Sequence, residues 1–307
     1  MKNILVIGSL NVDFVVNVDE MPVAGETRLS NSMELIPGGK GANQACAVGK
    51  LGGKANMLGA VGNDSYADIQ LNSLRAAEVS VINIIKRDDA STGMAWITVN
   101  HAGDNSIIVI PGANYTLSKE DIDNHIEVIK AHDIIVLQME IPLETVLYAA
   151  KAAKEAGKTV ILDPAPAPKK FPIELYQYID ILKPNEMELS ILTNMENAVQ
   201  NLGEATNILK KLGVKCVIVT LGEKGVFVND ANGEQYQISG IPVKAIDSTA
   251  AGDTFTAAVA IYIAKGKSVA EAVRYANMAA SLAVTKKGAQ SSIPTSQEVE
   301  QILSKKL

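Results

Sequence analysis

The chain has 307 residues, 47% of them hydrophobic and 20% charged, the make-up of a folded soluble protein with room for one large α/β domain or two smaller ones. A net charge of -6 and a pI of about 5.3 argue against a dedicated nucleic-acid or anionic-membrane surface. They leave open local basic pockets for phosphate.

In chain order the first element is a short β-type run over 4–7. A helix follows over 41–51, where Ala42, Ala45, Cys46 and Gly49 offer a small-residue packing face. The pattern then predicts a strand over 55–61, a helix over 65–77, a strand over 134–137 and a helix over 143–156 that Gly157 stops. Further strands are predicted over 159–162, 179–182 and 216–220. An apolar helical run over 255–264, a long helical stretch over 268–287 and a last helix over 296–303 complete the series. Apolar strands alternating with amphipathic helices imply a largely parallel sheet covered on both faces.

Two regions, about 12–37 and 92–112, break the alternation. The first holds strand-like pieces without a long helix. The second holds two β runs, 94–100 and 106–110, around the turn His101-Ala102-Gly103-Asp104. Together they predict a small sheet of about four strands projecting from the α/β body. Such a sheet could be a lid, a dimer surface, or both. No repeat or low-complexity tract is present.

Cys46 and Cys216 are far apart, read as buried thiols of a reducing compartment. His101, His125 and His132 have no metal-ligand spacing, and the last two are expected on or near a polar helix, solvated. The apolar run near Met1 is cut short by Asn11 and Asp13, too early for a signal-peptide core, and 255–264 is about half a membrane span. The expectation is a cytoplasmic protein with no membrane or nucleic-acid partner.

The first chemical signal is Asp247-Ser248-Thr249-Ala250-Ala251-Gly252-Asp253-Thr254-Phe255. A small-residue turn opening into a helix presents free amides and the positive dipole end, an anion site. Asp253 at its mouth is either a helix cap or a base that takes a proton from an attacking hydroxyl. The second signal is Pro37-Gly38-Gly39-Lys40-Gly41-Ala42-Asn43-Gln44. It opens a helix and allows close backbone approach, yet it has neither P-loop nor G-x-G-x-x-G spacing. Gly8-Ser9-Leu10-Asn11-Val12-Asp13 follows the first strand, so Asn11 and Asp13 fall beyond a strand's carboxyl end, where open α/β sheets bind ligands. With Asn43 they suit a polyol, which needs paired donors and acceptors; Asp13 fits a turn equally well. Glu140 lies at the carboxyl end of 134–137, before Pro142.

These two segments, with Lys183-Pro184-Asn185-Glu186-Met187-Glu188, Thr220-Leu221-Gly222-Glu223-Lys224-Gly225 and Lys287-Gly288-Ala289-Gln290 between and after them, resemble the ribokinase family of sugar kinases. The resemblance covers essentially all of 1–307, with its motifs in order. It implies a single catalytic domain, a three-layer α/β/α fold with a mostly parallel central sheet and a small β-sheet lid. It also implies ATP-dependent phosphorylation of D-ribose at the 5-hydroxyl. Asp253 would be the catalytic base, and the amides of Ala250, Ala251 and Gly252 would stabilise the transferred group. Asn11, Val12, Asp13, Gly39, Lys40, Gly41, Ala42, Asn43 and Glu140 would hold the sugar.

On the ATP side the resemblance implies Asn185, Thr220, Leu221, Gly222, Glu223, Lys224, Gly225, Gly252, Asp253 and Asn277, the last near the adenine. Glu188, with Asn185, would organise Mg²⁺ through water. A K⁺ site would fall to Asp247, Thr249, Ala283, Lys286, Gly288 and Ser292. Two departures stand out: Asp163 where the family often has Asn, and Ser291 where Pro is common. The alternatives are a kinase for 2-deoxyribose, another furanose or a nucleoside, and a non-catalytic sugar-binding regulator. A chain only 4% aromatic leans against nucleosides, which are usually stacked. The lid's uncovered sheet predicts a homodimer.

Overall fold

The computed structural model describes residues 2–30 and 32–306. Met1, Asn31 and Leu307 lie outside the described residues, and with them both ends of the predicted domain and one position of the predicted 12–37 lid region. The strands are β1 (Ile4–Ile7), β2 (Asn11–Asn17), β3 (Ser32–Gly38), β4 (Ala55–Gly62), β5 (Ser80–Arg87), β6 (Gly93–Val99), β7 (Asn105–Ile110), β8 (Ile134–Leu137), β9 (Thr159–Leu162), β10 (Ile181–Leu182), β11 (Cys216–Thr220), β12 (Val226–Asn229) and β13 (Gln235–Ile238). The helices are α1 (Lys40–Lys50), α2 (Ser65–Ala76), α3 (Lys119–Asn124), α4 (Ile126–Ala131), α5 (Leu143–Glu155), α6 (Glu186–Thr193), α7 (Leu202–Lys211), α8 (Ala251–Ala264), α9 (Val269–Ala283) and α10 (Ser296–Lys306).

Nine strands form one sheet in the order β13-β12-β11-β10-β9-β8-β1-β4-β5, all running the same way except β12, which pairs antiparallel with both β11 and β13 at one edge. Strand β1 pairs in parallel with both β4 and β8, so the chain direction across the sheet reverses there. Period-two side-chain alternation divides the core. Ile4 and Val6 of β1 join α1, α8 and α9 on one face, while Leu5 and Ile7 join α5 and α7 on the other. This is the three-layer α/β/α arrangement the sequence implied. Helix α8 is apolar almost all round because it is covered almost all round; each fully buried Val, Ile or Phe contributes about 1.5–3 kcal/mol. Among the described residues no helix is long and apolar enough to cross a membrane.

A second sheet, order β3-β2-β6-β7, forms from the two irregular regions. Its root lies where Asn11 pairs with Gly38 on one side and Gly93 on the other.

Three expectations need correction. The 268–287 helix ends at Ala283, because the Val284 carbonyl accepts the amides of Ile246 (2.7 Å) and Asp247 (3.2 Å) and the chain turns there. The 179–182 strand shrinks to Ile181–Leu182, since the Ile179 amide closes a 3₁₀ turn onto Tyr176. His132 is buried rather than solvated, with Nδ1 2.6 Å from the Val128 carbonyl.

Candidate active site

The carboxyl ends of β1, β8, β9, β10 and β11 lead into Ser9, Gln138, Asp163, Lys183 and Leu221, so the candidate residues gather at the end of the sheet where the chain reversal opens a crevice. Facing them are the first turns of α1 and α8.

At α8 the cap is Ala250, held at φ 60 in the left-handed region, which costs a non-glycine residue roughly 1–2 kcal/mol. Strain of this kind needs support, and Thr254 provides it through both its amide and its hydroxyl, each bonded to the Ala250 carbonyl at 2.8 Å. The Ala251 amide is occupied by the Ser248 carbonyl (3.2 Å). The anion-binding expectation therefore rests more on Gly252 and Ala250 than on Ala251. Lys183 Nζ approaches to 3.4 Å of where a Gly252 side chain would begin, placing a cation at the same turn.

Asp253 does not cap the helix: α8 has no side-chain cap bond. Its carboxylate is 5% exposed and held from α1 instead. Asn43 Nδ2 donates to Oδ2 and Gln44 Nε2 to Oδ1, both at 3.0 Å. Burial pushes the Asp253 carboxyl above its ordinary range; the Lys40 ammonium opposes this, and Asp163 adds to it. A base poised upward, with both oxygens oriented, is what proton abstraction from a hydroxyl requires.

Gln44 also donates to Asp163 Oδ2 at 3.0 Å, so one amide spans two carboxylates. Gln138 Nε2 donates to Gln44 Oε1 (2.7 Å) and fixes that orientation. Asp163, 1% exposed, pairs with Lys183 at 2.9 Å and accepts from Thr256 at 3.2 Å. Lys40 loses hydration by burial, yet Asp253, Asp163, Glu140 and Glu188 together hold its ammonium above the ordinary range.

On the small-sheet side, Glu140 Oε2 accepts from Ser9 Oγ (2.6 Å) and the Lys40 amide (2.9 Å), a carboxylate at the positive end of α1. Gly39 sits at φ 83, and a Cβ there would fall 2.7 Å from the Asn11 amide, so glycine is required. Asn11 Oδ1 accepts from Asn114 Nδ2 at 2.7 Å. Val12 and Ala42 are fully buried. Asp13 is pushed up to about 7 by burial and the nearby Glu140.

An unfolded Asp titrates near 3.8, so folding disfavours the Asp13 charge. Its favourable contribution is complete below about 3.8 and is lost as pH rises through about 7. Asp13→Asn is thus expected to raise the melting temperature at pH well above 7 and leave it unchanged in acid, while weakening sugar binding. Thermal melts at the two extremes check this, and an equal shift at both would refute it.

Asn185 and Glu188 form a reciprocal capping box on α6, Asn185 Oδ1 accepting the Glu188 amide and Glu188 Oε2 the Asn185 amide, both at 2.8 Å. Burial and then Asp163 raise the Glu188 carboxyl. Thr220 bridges to Asn185. The 220–225 turn packs against Gly240, and Asn277 Nδ2 donates to the adjoining Ser239 carbonyl at 2.8 Å. The structure thus joins Asn277 to the expected nucleotide turn.

Asp247 Oδ1 accepts from the Thr249 amide (2.9 Å) and hydroxyl (2.6 Å), and Oδ2 from the Gly288 amide (2.9 Å). Burial would raise the Asp247 carboxyl, but these bonds hold it below its ordinary range. Three of the predicted cation residues therefore meet. The Ala283 carbonyl is taken by the Lys286 amide (3.1 Å), Lys286 Nζ pairs with Glu298 (2.6 Å), and Ser292 Oγ is spent on the Ala289 carbonyl (2.8 Å).

The model of the pfkB family carbohydrate kinases matches residues 1–296. The chain belongs to that family. It is 40% identical over 303 residues to the ribokinase of Haemophilus influenzae, covering 98% of each chain. It is 38% identical over 303 residues to a deoxyribokinase of Salmonella typhi, covering 98% of this chain and 99% of that one. The solved ribokinase of Arabidopsis thaliana complexed with ribose and ATP superposes with a TM-score of 0.92 at 37% identity, with 98% of both chains covered. The protein is a sugar kinase that takes ATP as phosphoryl donor.

Gln44, Gln138, Lys183 and Asn114 were not predicted as site residues, although Gln44 and Lys183 stand inside quoted motifs. Asp163 stands out in the sequence only as a departure from the family pattern. Their roles depend on contacts between distant segments, and only a buried, bond-rich position distinguishes them.

Proposed function

We propose that this sugar kinase phosphorylates D-ribose on its 5-hydroxyl, with Asp253 as the general base. The observation that carries the reading is the buried Asp253 carboxylate in the first turn of α8, oriented by Asn43 and Gln44 from α1. The sugar oxygen loses its proton to Asp253 and forms the new bond to the γ-phosphorus as the bond to the departing ADP oxygen breaks. Negative charge on the transferred group meets the Gly252 and Ala250 amides and Lys183. Asn11, Asp13, Gly39, Lys40, Asn43 and Glu140 supply the donors and acceptors that a pentose needs. The ribose-bound Arabidopsis relative supports ribose; the Salmonella deoxyribokinase keeps 2-deoxyribose as the second reading.

Among the described residues no group of three or more His, Cys, Asp or Glu could hold a metal alone. Buried Glu188 and the unpartnered Asp163 Oδ1 fit Mg²⁺ held largely by water and phosphates. Mg²⁺ would neutralise phosphate charge there. Asp247, Thr249 and Gly288 fit one flank of a K⁺ site that would steady the turn before α8. A sugar panel with ATP and Mg²⁺, run in K⁺, Na⁺ and choline, is expected to favour ribose and to show K⁺ well above Na⁺. Preference for 2-deoxyribose would overturn the sugar assignment, and equal rates in the three salts would overturn the cation site.

The small sheet leaves Trp96, Ile107, Ile108, Val109 and Ile110 exposed on β6 and the edge strand β7. We read this as the face of a homodimer, since an uncovered apolar edge invites pairing. Sedimentation at micromolar concentration should give a dimer that Ile108→Lys converts to monomer; a monomeric parent would sink it.

A further inference from the structure

Gln70 on α2 is 0% exposed, in a helix face that otherwise buries Ala67, Leu71 and Leu74. Its Nε2 donates to two main-chain carbonyls, those of Asn11 and Gly38, the latter at 2.7 Å. These two residues lie opposite one another at the root of the small sheet. One side-chain amide, with two hydrogens, thereby clamps β2 and β3 where they leave the body. Asn11 begins the strand that carries Asp13, and Gly38 immediately precedes Gly39.

The other side of the same amide faces Gln290. Gln290 Nε2 lies 3.5 Å from Gln70 Oε1, and Gln290 Oε1 accepts from Ser73 Oγ, one turn along α2, at 2.5 Å. The Gln290 carbonyl accepts from Lys50 Nζ, at the far end of α1, at 2.6 Å. Two residues earlier, the Gly288 amide holds Asp247 beside the α8 turn. Gln70, bonded to the strands of the small sheet, and Gln290, two residues along the chain from Gly288, thus lie between that sheet and the turn before α8.

We propose that Gln70 is a positioning residue for the sugar site, setting Asn11, Asp13 and Gly39 against the body, and that Gln290 acts through it by fixing its amide. This rests on the reading that those three residues hold the sugar. Packing alone does not account for an amide here: burying one in an apolar helix face is costly unless its bonds are needed.

The test is calorimetric binding of ribose and, separately, of ATP to the intact chain, with thermal melts. Gln70→Met keeps the volume and removes the bonds. It is expected to weaken ribose binding about tenfold, the scale of one lost buried hydrogen bond, and to leave ATP binding within about twofold. Gln70→Glu, which sets a carboxylate against two carbonyls, should weaken ribose further. Gln290→Met should shift ribose binding in the same direction by less, and the double variant should match Gln70→Met alone. Ribose and ATP affinities falling together, or neither moving while the melt drops, would reduce Gln70 to packing and overturn the proposal. Additive losses in the double variant would overturn the role of Gln290. Failure of the sugar assignment itself would appear in the parent protein as absent ribose binding, separately from these outcomes.

Discussion

Asp253→Asn is expected to lower kcat by roughly two to four decades, the usual worth of a general base, while sugar affinity stays close to that of the parent. The substitution is nearly isosteric, and the neighbours decide why binding should survive. Asn43 and Gln44 both donate to Asp253, so an amide in its place can still accept through its oxygen. One of the two bonds is lost, a cost of about 1 kcal/mol borne by the fold, offset in part because a buried charge near Asp163 is removed. What the amide cannot do is accept a proton. The parent enzyme should therefore show an acid limb in kcat/KM above the ordinary carboxylate range, rate being lost as pH falls through the raised Asp253 value. That limb should vanish from the residual activity of the variant. Steady-state kinetics across pH, with ribose affinity measured independently, checks both parts. A variant retaining a tenth or more of the parent rate would leave Asp253 an orienting group and require another base.

How much of this was legible beforehand depends on whether a role is local or assembled. Strand and helix positions followed from apolar periodicity, and the small sheet from two stretches that could not alternate with helices. The turn at 250–252 was legible because glycine and alanine before an apolar helix have few other uses. Asp253 was harder, since a cap and a base look alike in sequence; the lack of a side-chain cap bond at α8 removes the cap, and the donors from α1 support the proposed base. The Asn185 and Glu188 pair shows the converse. Its spacing fits a phosphate-side motif and equally a capping box, and the geometry contains the box. Lys183 and Gln44 were visible as letters of their motifs but had no assignable contact, because their partners lie from 20 to 209 positions away. The break in the helix after Ala283 had the same origin: a carbonyl claimed by residues 246 and 247 leaves no local trace.

Lys183→Met is the second large effect, and it separates stability from chemistry. Lys183 and Asp163 form a buried pair at 2.9 Å with almost no solvent contact. Removing one partner of such a pair typically costs about 3–5 kcal/mol, because the remaining charge is left without compensation. Here the cost should fall near the lower end, since Gln44 and Thr256 still donate to Asp163. The melting temperature should drop by several degrees. The rate should fall by about two to three decades as well, because the same ammonium stands at the Gly252 turn, where the proposed mechanism places the charge of the transferred phosphoryl. The double variant Lys183→Met/Asp163→Asn isolates the two effects. It leaves neither member of the pair as an unmatched charge, so most of the lost stability should return, while the rate should stay low because the Lys183 ammonium no longer faces the turn. Melting curves and kcat for the parent, both single variants and the double variant give the comparison. Recovery of rate along with stability would make Lys183 only the counter-ion of Asp163, and the anion site would then consist of the α8 amides. Unchanged melting in Lys183→Met would show instead that the Gln44 and Thr256 donors suffice to hold Asp163.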